Sequence, residues 1–307
     1  MSNAVSETLV TLGRGYLRDA PGTWGKAALA TRYLNPWLRH HPRRRVVRTR
    51  FGAAMAVDTQ DLIQRYVYLF GVWEPHMTHW LQRRLRPGDT YIDVGANVGY
   101  FSLLAAQLVG EEGRVVAVEA SPTFHRGILR HVGINGLTNV RAVHTAVSDE
   151  RKTVTLILAS SSNMGAASIV PYGGPAEAAM EVEAAPLPEI LDPEEIASAR
   201  VIKIDVEGAE GSVIRGLAPL LDKLRPDAEI TVEVTPDRME KLGDSADELL
   251  AIMRDHGFHV YRLANSYAPG SYPAALHRPT GVPVRWTGRI AGESDLIFSR
   301  VDAERLP

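Results

Sequence analysis

Residues 91–101, YIDVGANVGYF, combine an acid, two glycines and an asparagine in a pattern that can hold a nucleotide. A β-prone run carries Asp93, turns through Gly95, Asn97 and Gly99, and resumes as an apolar segment typical of a helix. Glycine lets a backbone approach a ligand closely. The helix that follows offers unpaired N–H groups and the positive end of its dipole. The pattern therefore predicts a cofactor-binding loop.

A second acid can supply the contact that a ribose needs. Glu119 ends the next predicted strand, about 20 residues after Gly99, where a carboxylate can accept hydrogen bonds from ribose hydroxyls. Such an arrangement serves NAD and S-adenosylmethionine alike. A dinucleotide fingerprint has a glycine at the place of Asn97, because that glycine admits the pyrophosphate. The spacing therefore favours S-adenosylmethionine.

A third group of acids follows later strands. In the segment KIDVEGAE, Asp205 ends a strand at the edge where open α/β sheets bind ligands, so we expect it to act as the base. Glu210, in the next helical turn, is expected to compensate the helix dipole. Glu233 ends another strand at the same edge. Asp205 and Glu233 could share a divalent cation, but two acids lack a third ligand, so a metal is not favoured.

One short predicted helix before this core carries further candidates. His76 and His79 lie three residues apart and remain candidate bases. A zinc pair is not favoured, because the glutamate of the His-Glu-x-x-His motif and a third ligand are missing. Glu74, at the start of that helix, is a candidate cofactor contact.

From Tyr91 onward, predicted strands alternate with helices, which indicates a doubly wound, mostly parallel α/β sheet. The predicted strands are 91–94, 114–119, 140–145, 201–205, 228–234, 258–262 and 295–299. The segments near 153–186 and 264–290 interrupt the alternation. We predict an N-terminal arm, hairpin and helical cap over residues 1–88, and one catalytic domain over 89–301 with those two insertions.

Composition restricts the class of protein. The 307 residues have a formal net charge of -2, which gives no case for a nucleic-acid or membrane-surface partner. The absence of cysteine excludes disulfides and thiolate metal sites, and no targeting segment or spanning run is evident, so a cytoplasmic protein is expected. Five arginines between residues 43 and 50 are interpreted as a solvated hairpin face.

The runs YIDVGANVGYFSLLAAQLVGEEGRVVAVEASP and VIKIDVEGAEGSVIRGL resemble the FkbM-type family of S-adenosylmethionine-dependent methyltransferases. The resemblance extends over roughly residues 45–300. It implies a class I methyltransferase with a Rossmann-like, seven-stranded sheet, and O-methylation of a hydroxyl on a secondary metabolite such as a polyketide, glycoside or sugar.

The resemblance also implies a set of cofactor contacts. Asp205 would lie near the methyl group. The other contacts, in order from the amino-acid end of the cofactor through its ribose to its adenine, would be Asp93, Gly95, Asn97, Gly99, Glu119, Ala120, Ser121, Ala146 and Val147.

Two alternatives stay open at the level of the sequence: an NAD-dependent oxidoreductase, and a binding module without catalysis. The expected partner is a small-molecule hydroxyl acceptor, and a homo-oligomer is possible. We expect the acceptor pocket to be built from the cap before residue 90, the loop 159–175 with Ser160 to Asn163, and the insertion 264–290 with Tyr267, Tyr272 and Trp286.

Overall fold

The N-terminal part of the chain is a helical cap with one β-hairpin. The structure is a computed structural model that describes residues 3–159, 167–168, 170, 176–278 and 281–306. The cap contains α1 (Asn3–Asp19), α2 (Lys26–Ala28), a π-helical stretch (Leu29–Leu34), α3 (Asn35–His40), β1 (Arg44–Arg48), β2 (Ala54–Asp58), α4 (Leu62–Phe70) and α5 (Pro75–Arg84). β1 and β2 form the antiparallel hairpin that the alternating pattern predicts.

The rest of the chain alternates strands with helices. Its elements are β3 (Thr90–Val94), α6 (Tyr100–Val109), β4 (Arg114–Glu119), α7 (Pro122–Asn135), β5 (Val140–His144), β6 (Ala146–Val147), β7 (Lys152–Ala159), β8 (Ala167–Ser168), β9 (Ala176–Ala185), α8 (Leu187–Ile190), α9 (Pro193–Ser198), β10 (Ala199–Ile204), α10 (Glu210–Leu217), a 3₁₀-helix (Ala218–Lys223), β11 (Glu229–Val234), α11 (Pro236–Lys241), α12 (Ala246–Asp255), β12 (His259–Leu263), α13 (Tyr272–His277), β13 (Val284–Arg285) and β14 (Ser294–Ser299).

The central sheet has the order β13-β12-β14-β11-β10-β3-β4-β5. The five strands from β11 to β5 are mutually parallel, whereas β14 pairs antiparallel with both β11 and β12. The chain therefore winds to one side through β4 and β5 and to the other through β10 and β11. The strand order reverses between β3 and β10, which is where such sheets bind ligands.

The predicted α/β fold is confirmed, with one strand more than expected. The insertion 264–290 contributes the two-residue strand β13, whose residues pair with Tyr261 and Arg262 of β12. The other insertion pairs with β6, which precedes it, in a separate sheet of order β6-β9-β7-β8, in which the long strands β7 and β9 are antiparallel. The division into a cap over 1–88 and a domain over 89–301 stays a prediction.

Local sequence signals explain where the helices begin. The side chains of Asp61, Ser121 and Ser245 accept hydrogen bonds from backbone N–H groups of α4, α7 and α12, which satisfies donors that a helix start leaves unpaired. α5, α7 and α11 each begin with proline, a residue whose missing N–H costs nothing at the first helical position.

Apolar side chains from the cap and the sheet form one continuous core. Tyr91 of β3 faces a cluster that includes Tyr66 and Trp80 of the cap, while its neighbour Ile92 faces a second cluster on the opposite side of the sheet. All five residues of β3 are buried, as expected for a central strand covered on both faces. The cap thus completes one face of the sheet.

Candidate functional site

The principal cavity of the described residues lies at the carboxyl edge of the sheet, where the strand order reverses. It encloses about 580 Å³, which is within the usual range for small-molecule sites. Its walls come from the ends of β3, β4, β10 and β11, from strands β6 and β7, and from the cap. Eight residues of the expected cofactor set line it: Glu74, Gly95, Asn97, Glu119, Ala120, Ala146, Val147 and Asp205.

Backbone strain is concentrated around this cavity. Within the part of the chain that the structure describes, three residues other than glycine have a positive φ: Glu74, Asn97 and Glu207, at 40°, 52° and 59°. All three line the cavity. Side chains other than glycine rarely adopt such angles, and they persist at functional sites where the surroundings hold them.

The glycine loop after β3 is shaped by close packing. Gly95 has φ +79°, and a Cβ placed on it would lie 1.8 Å from the backbone oxygen of Asp205. The N–H groups of Gly95 and Ala96 both donate to the carbonyl of Val118, which ties the loop to β4. Glycine at 95 is therefore required for β3 and β10 to approach each other beneath the cavity.

Glu119 is held rigidly at the end of β4. Its two carboxylate oxygens each accept a backbone hydrogen bond at 2.7 Å, one from Asn97 and one from Ser121. The side chain is buried, which raises its pKa to about 7 although these two bonds act in the opposite direction. Each oxygen keeps a second lone pair, so the carboxylate can still accept two hydroxyl groups.

Asp205 lies at the end of β10 in a network of buried ionisable groups. Lys203, two residues earlier on the same face of the strand, donates a hydrogen bond of 2.7 Å to its carboxylate. Burial alone would raise the pKa of Asp205, but the charge of Lys203 and a hydrogen bond from Glu233 together lower it below its usual value. Asp205 is therefore ionised, and it faces the cavity.

A tyrosine from the 264–290 insertion connects the cap to β11. The Tyr267 hydroxyl lies 2.6 Å from Glu233 and 3.1 Å from Glu74. One hydroxyl proton cannot serve both carboxyl groups, so one carboxyl must carry a proton. Burial raises the pKa of both acids well above the usual value, and the charges of Asp205 and Asp295 add to that effect.

Three residues of the expected cofactor set lie behind the cavity wall. Asp93 is buried and accepts hydrogen bonds from Ser102 and Tyr91, so it holds the loop from below and does not face the cavity. Gly99 begins α6 and faces Ile128 of α7. Ser121 is fully buried and caps the start of α7, where its backbone N–H donates a hydrogen bond to Glu119.

The two candidate histidines are not brought to the cavity. His76 and His79 lie on α5, whose first residues follow Glu74, but neither side chain lines the wall. Burial lowers the pKa of both imidazoles; the neighbouring His79 lowers that of His76 further, and the charge of Arg83 lowers that of His79. A base must reach the acceptor in the cavity. Asp205 lines the cavity and meets this condition, whereas the two histidines do not.

Sequence reasoning missed several charged residues of the site. Lys203 was not singled out, because one lysine in an apolar strand is an isolated charge in the sequence. Its spacing of two from Asp205 nevertheless places both side chains on one face of the strand. Arg238 of α11 lines the cavity and forms an ion pair with Glu207. Lys152 lines it from β7. No local pattern links these residues, because they come from separate elements.

A second cavity of about 540 Å³ adjoins the first and shares Tyr267 and Glu293 with it. Trp286 lines it, as does Asp295. Of the aromatic residues expected in an acceptor pocket, Tyr272 is instead fully buried against Tyr66 and Phe70 of the cap. The loop from Ser160 to Asn163 lies outside the described residues.

Neither a metal cluster nor a spanning helix is found in the described ranges. No group of three or more His, Asp or Glu side chains there is arranged to hold a metal ion. The helices described between residues 3 and 306 include none that is long and apolar enough to cross a membrane. The acids at the sheet edge are hydrogen-bonded to Lys203 and Tyr267 instead.

Comparisons with known proteins agree with this geometry. The model of the methyltransferase FkbM domain matches residues 93–260, more than half of the chain. An arsenite methyltransferase of Halobacterium salinarum is 32% identical over 77 residues, which are 24% of this chain and 20% of the relative, so the match spans one fifth of that protein's length.

Two solved structures are similar to parts of this chain at low identity. Precorrin-6y C5,15-methyltransferase of Geobacter metallireducens is 16% identical, with a TM-score of 0.41 over 73% of this chain and 86% of that one. Fibrillarin of Aeropyrum pernix, in complex with S-adenosyl-L-methionine, is 11% identical, with a TM-score of 0.41 over 92% of this chain and 85% of that one.

Proposed function

Because this chain belongs to the FkbM methyltransferase domain family, we propose that it is an S-adenosylmethionine-dependent O-methyltransferase that acts on a hydroxyl group of a small molecule. The acceptor that we propose is a secondary metabolite such as a polyketide, a glycoside or a sugar. The observation that carries the proposal is a single cavity that joins Glu119, the residue proposed to hold the ribose, to Asp205 at the sheet edge.

The residues of this cavity fit the cofactor. Glu119 would hold the ribose, the backbone around Asn97 would contact the amino-acid end, and Ala146 and Val147 would border the adenine. S-adenosylmethionine supplies an electrophilic methyl group when it is bound. The chain's own contribution is to hold the acceptor oxygen in line with that group and to exclude water.

Asp205 is the residue that we propose as the partner of the acceptor hydroxyl. Its carboxylate is ionised, so it can accept the hydroxyl's hydrogen bond and orient the oxygen. A carboxylate with a lowered pKa is a weak base, so it takes the proton only as the new oxygen–carbon bond forms and the hydroxyl becomes acidic. Glu233 and Lys203 keep this carboxylate in place.

The adjoining cavity supports a small organic acceptor. Trp286 and Tyr267 offer apolar ring faces next to polar groups, which suits a ring system that carries hydroxyls. The shared residue Tyr267 connects this cavity with the acids beside Asp205. The acceptor would then enter from the side of the insertion 264–290.

The experiment that tests the function begins with binding. Calorimetry with S-adenosylhomocysteine and, separately, with NADH distinguishes the proposed enzyme from an oxidoreductase. We expect the first ligand to bind and the second not to bind, and the reverse result would overturn the proposal. Formation of S-adenosylhomocysteine over a panel of polyketide and glycoside alcohols then identifies an acceptor, whereas a binding module would turn over none of them.

With an acceptor in hand, Asp205→Asn tests the chemistry. The exchange is nearly isosteric, so we predict cofactor affinity close to that of the wild type and turnover lower by about 100- to 10,000-fold. Asp237→Asn, at an exposed acid on α11 outside the cavity, is the matched control and should turn over normally. A wild-type rate for Asp205→Asn would exclude Asp205 from the reaction.

A further inference from the structure

The charges of this chain are strongly segregated along the sequence. Residues 1–50 contain ten Lys and Arg but only two Asp and Glu, which gives them a formal charge of +8. Because the whole chain has a net charge of -2, the remaining residues carry -10. The small net charge therefore results from a basic N-terminal arm, residues 1–50, and an acidic body, residues 51–307. This arm lies outside the segment that matches the family.

The same arm exposes large apolar side chains. Half of the exposed large apolar side chains among the described residues lie between residues 9 and 46, although this stretch is a small part of the chain. Trp24 is 88% exposed and Leu12 is 65% exposed. A single exposed apolar residue is ordinary, but a concentration of them marks an interaction surface.

Helix α1 brings several of these side chains into one stripe. The exposed Leu9 and Leu12 and the half-buried Tyr16 follow a helical spacing of three and four, and they lie away from Val10 and Leu17, which face the core. The Tyr16 hydroxyl donates to the carbonyl of Trp24, so the stripe continues into the exposed indole. Helix α1 therefore has two apolar faces. The inner face packs against the core, and the outer face is exposed.

The hairpin strand β1 extends the surface with arginines. Residues 44, 46 and 48 of a strand share one side, so Arg44, Val46 and Arg48 form an exposed row. Strand and helix lie side by side, since Arg18 of α1 donates to the carbonyl of Arg48. At the other end of the pair, Glu7 of α1 bonds to Arg43.

We propose that this surface, formed by α1, Trp24 and the outer row of β1, docks on an anionic phospholipid bilayer. Lysine and arginine near such a bilayer are attracted to its negative headgroups, while tryptophan and leucine enter the interface. Most protein contacts to a nucleic acid are made to its phosphates and sugars, whereas a bilayer interface offers acyl chains to aliphatic side chains such as Leu9, Leu12 and Val46, so a lipid fits better. The acidic body is repelled, so the arm faces the bilayer.

Vesicle flotation tests the proposal with the full-length protein at low salt. The probes are vesicles of phosphatidylcholine alone and vesicles in which about one third of the lipid is phosphatidylserine. We expect about tenfold or more bound protein on the anionic vesicles than on the neutral ones. Raising the salt to about 0.5 M should release most of it, because exposed charges are then screened.

Two variants separate the apolar from the basic contribution. Leu12→Ser with Trp24→Ser removes apolar area, and Arg44→Gln with Arg48→Gln removes charge; each pair should lower binding to anionic vesicles by about tenfold. The matched control combines Val301→Ser and Arg289→Gln, at an exposed valine and an exposed arginine outside the arm, and should bind as the wild type does. Unchanged affinity for S-adenosylhomocysteine in every variant verifies that the fold persists.

Several outcomes would overturn the proposal. One is the absence of binding to both vesicle types, and another is equal binding to both. A third is tight, salt-sensitive binding to a single-stranded RNA probe with no flotation. A fourth is a wild-type dimer that Leu12→Ser with Trp24→Ser converts to a monomer, since a second copy of the chain would then cover the stripe. None of these outcomes depends on the methyl-transfer reaction.

Discussion

At the scale of single residues, the site works by placing acids in contrasting environments. Glu119 is buried among backbone donors and has a raised pKa, whereas Asp205 is held ionised by Lys203. Groups of one chemical type thus take different protonation states close to neutral pH. The environment of each carboxylate, and not its residue type, decides which role it can take.

We predict that nucleoside binding tightens as the pH rises through the pKa of Glu119. That pKa is about 7 in the free protein, and only the ionised form can accept hydrogen bonds from both ribose hydroxyls. The affinity for 5′-methylthioadenosine should therefore be about tenfold lower at about pH 6 than at about pH 8. This ligand lacks the α-amino group of S-adenosylmethionine, which would itself titrate. The pH dependence of the affinity measured by calorimetry therefore reports on a group of the protein.

The control for this prediction is Glu119→Gln, which cannot ionise. It should bind more weakly than the wild type at the higher pH and show a flat pH profile. A wild-type affinity that does not change over the same range would place the ribose elsewhere in the cavity.

We also predict that Lys203→Met strongly destabilises the protein. The methionine fills the space of the lysine stem but leaves the largely buried carboxylate of Asp205, whose side chain is 23% exposed, without its cation, which costs about 3–5 kcal/mol at neutral pH. The loss should shrink at about pH 5, because Asp295, which also faces the charge of Lys203, has a pKa raised by burial to about 7 and holds its proton there. Urea denaturation at both pH values measures this difference.

The matched control is Arg44→Gln, which removes an exposed cation paired with Asp58. Exposed ion pairs contribute little to stability, so the free energy of unfolding should hardly change. If both substitutions cost the same, the network around Lys203 would not stabilise the fold.

At the scale of elements, the loop after β3 packs against the end of β10 and forms part of the cavity wall. β3 and β10 lie side by side, and the glycine loop passes directly over the end of β10. The chain can make this crossing only where a residue has neither a Cβ nor a restricted φ. The loop therefore fixes the distance between the proposed cofactor end of the cavity and the end that carries Asp205.

We predict that Gly95→Ala and Gly88→Ala differ sharply. Both glycines have a positive φ, but a Cβ at Gly88 meets open space, whereas one at Gly95 would lie 1.8 Å from the oxygen of Asp205. Gly88→Ala should cost about 1–2 kcal/mol from backbone strain alone. Gly95→Ala should cost more and weaken S-adenosylhomocysteine binding by at least about tenfold, as measured by urea denaturation and calorimetry.

Equal costs for the two substitutions, with cofactor affinity retained in both, would show that the loop can move away from β10 without harm to the site.

At the scale of the whole molecule, the cap, the sheet and the 264–290 insertion meet at the site. The cap supplies Glu74, the insertion supplies Tyr267, and β11 supplies Glu233, and one hydroxyl holds all three together. The cap also buries Trp80 and Tyr66 in the core that covers one face of the sheet. The cap is therefore a structural part of the catalytic unit, and not only a cover.

We predict that residues 89–307 do not fold without the cap. Residues 1–88 cover Tyr91 and Leu104, so deletion of the cap would expose these apolar side chains on one face of the sheet. The truncated chain should lack a cooperative unfolding transition and the near-ultraviolet circular dichroism of packed aromatic residues. Trp80→Ala, a milder change, should cost about 3–5 kcal/mol in the full chain.

A truncated chain that unfolds cooperatively and still binds S-adenosylhomocysteine would show that the domain of 89–301 is independent of its cap.

The sequence by itself determined the alternation of strands and helices, the turn at Gly95 and the acids at the ends of β4 and β10. These features are local: periodicity, glycine and residue type at a strand end act within a few positions. The parallel order then follows, because alternating β and α segments have few ways to pack.

Only the tertiary structure decided which side chains reach the cavity. It turned Asp93 behind the wall, left His76 and His79 outside it, and brought Tyr267 to Glu74, which lies nearly two hundred residues earlier in the chain. Such contacts depend on the direction of each side chain and on packing between distant elements. A linear pattern carries neither quantity, because burial and partners exist only after the chain has folded.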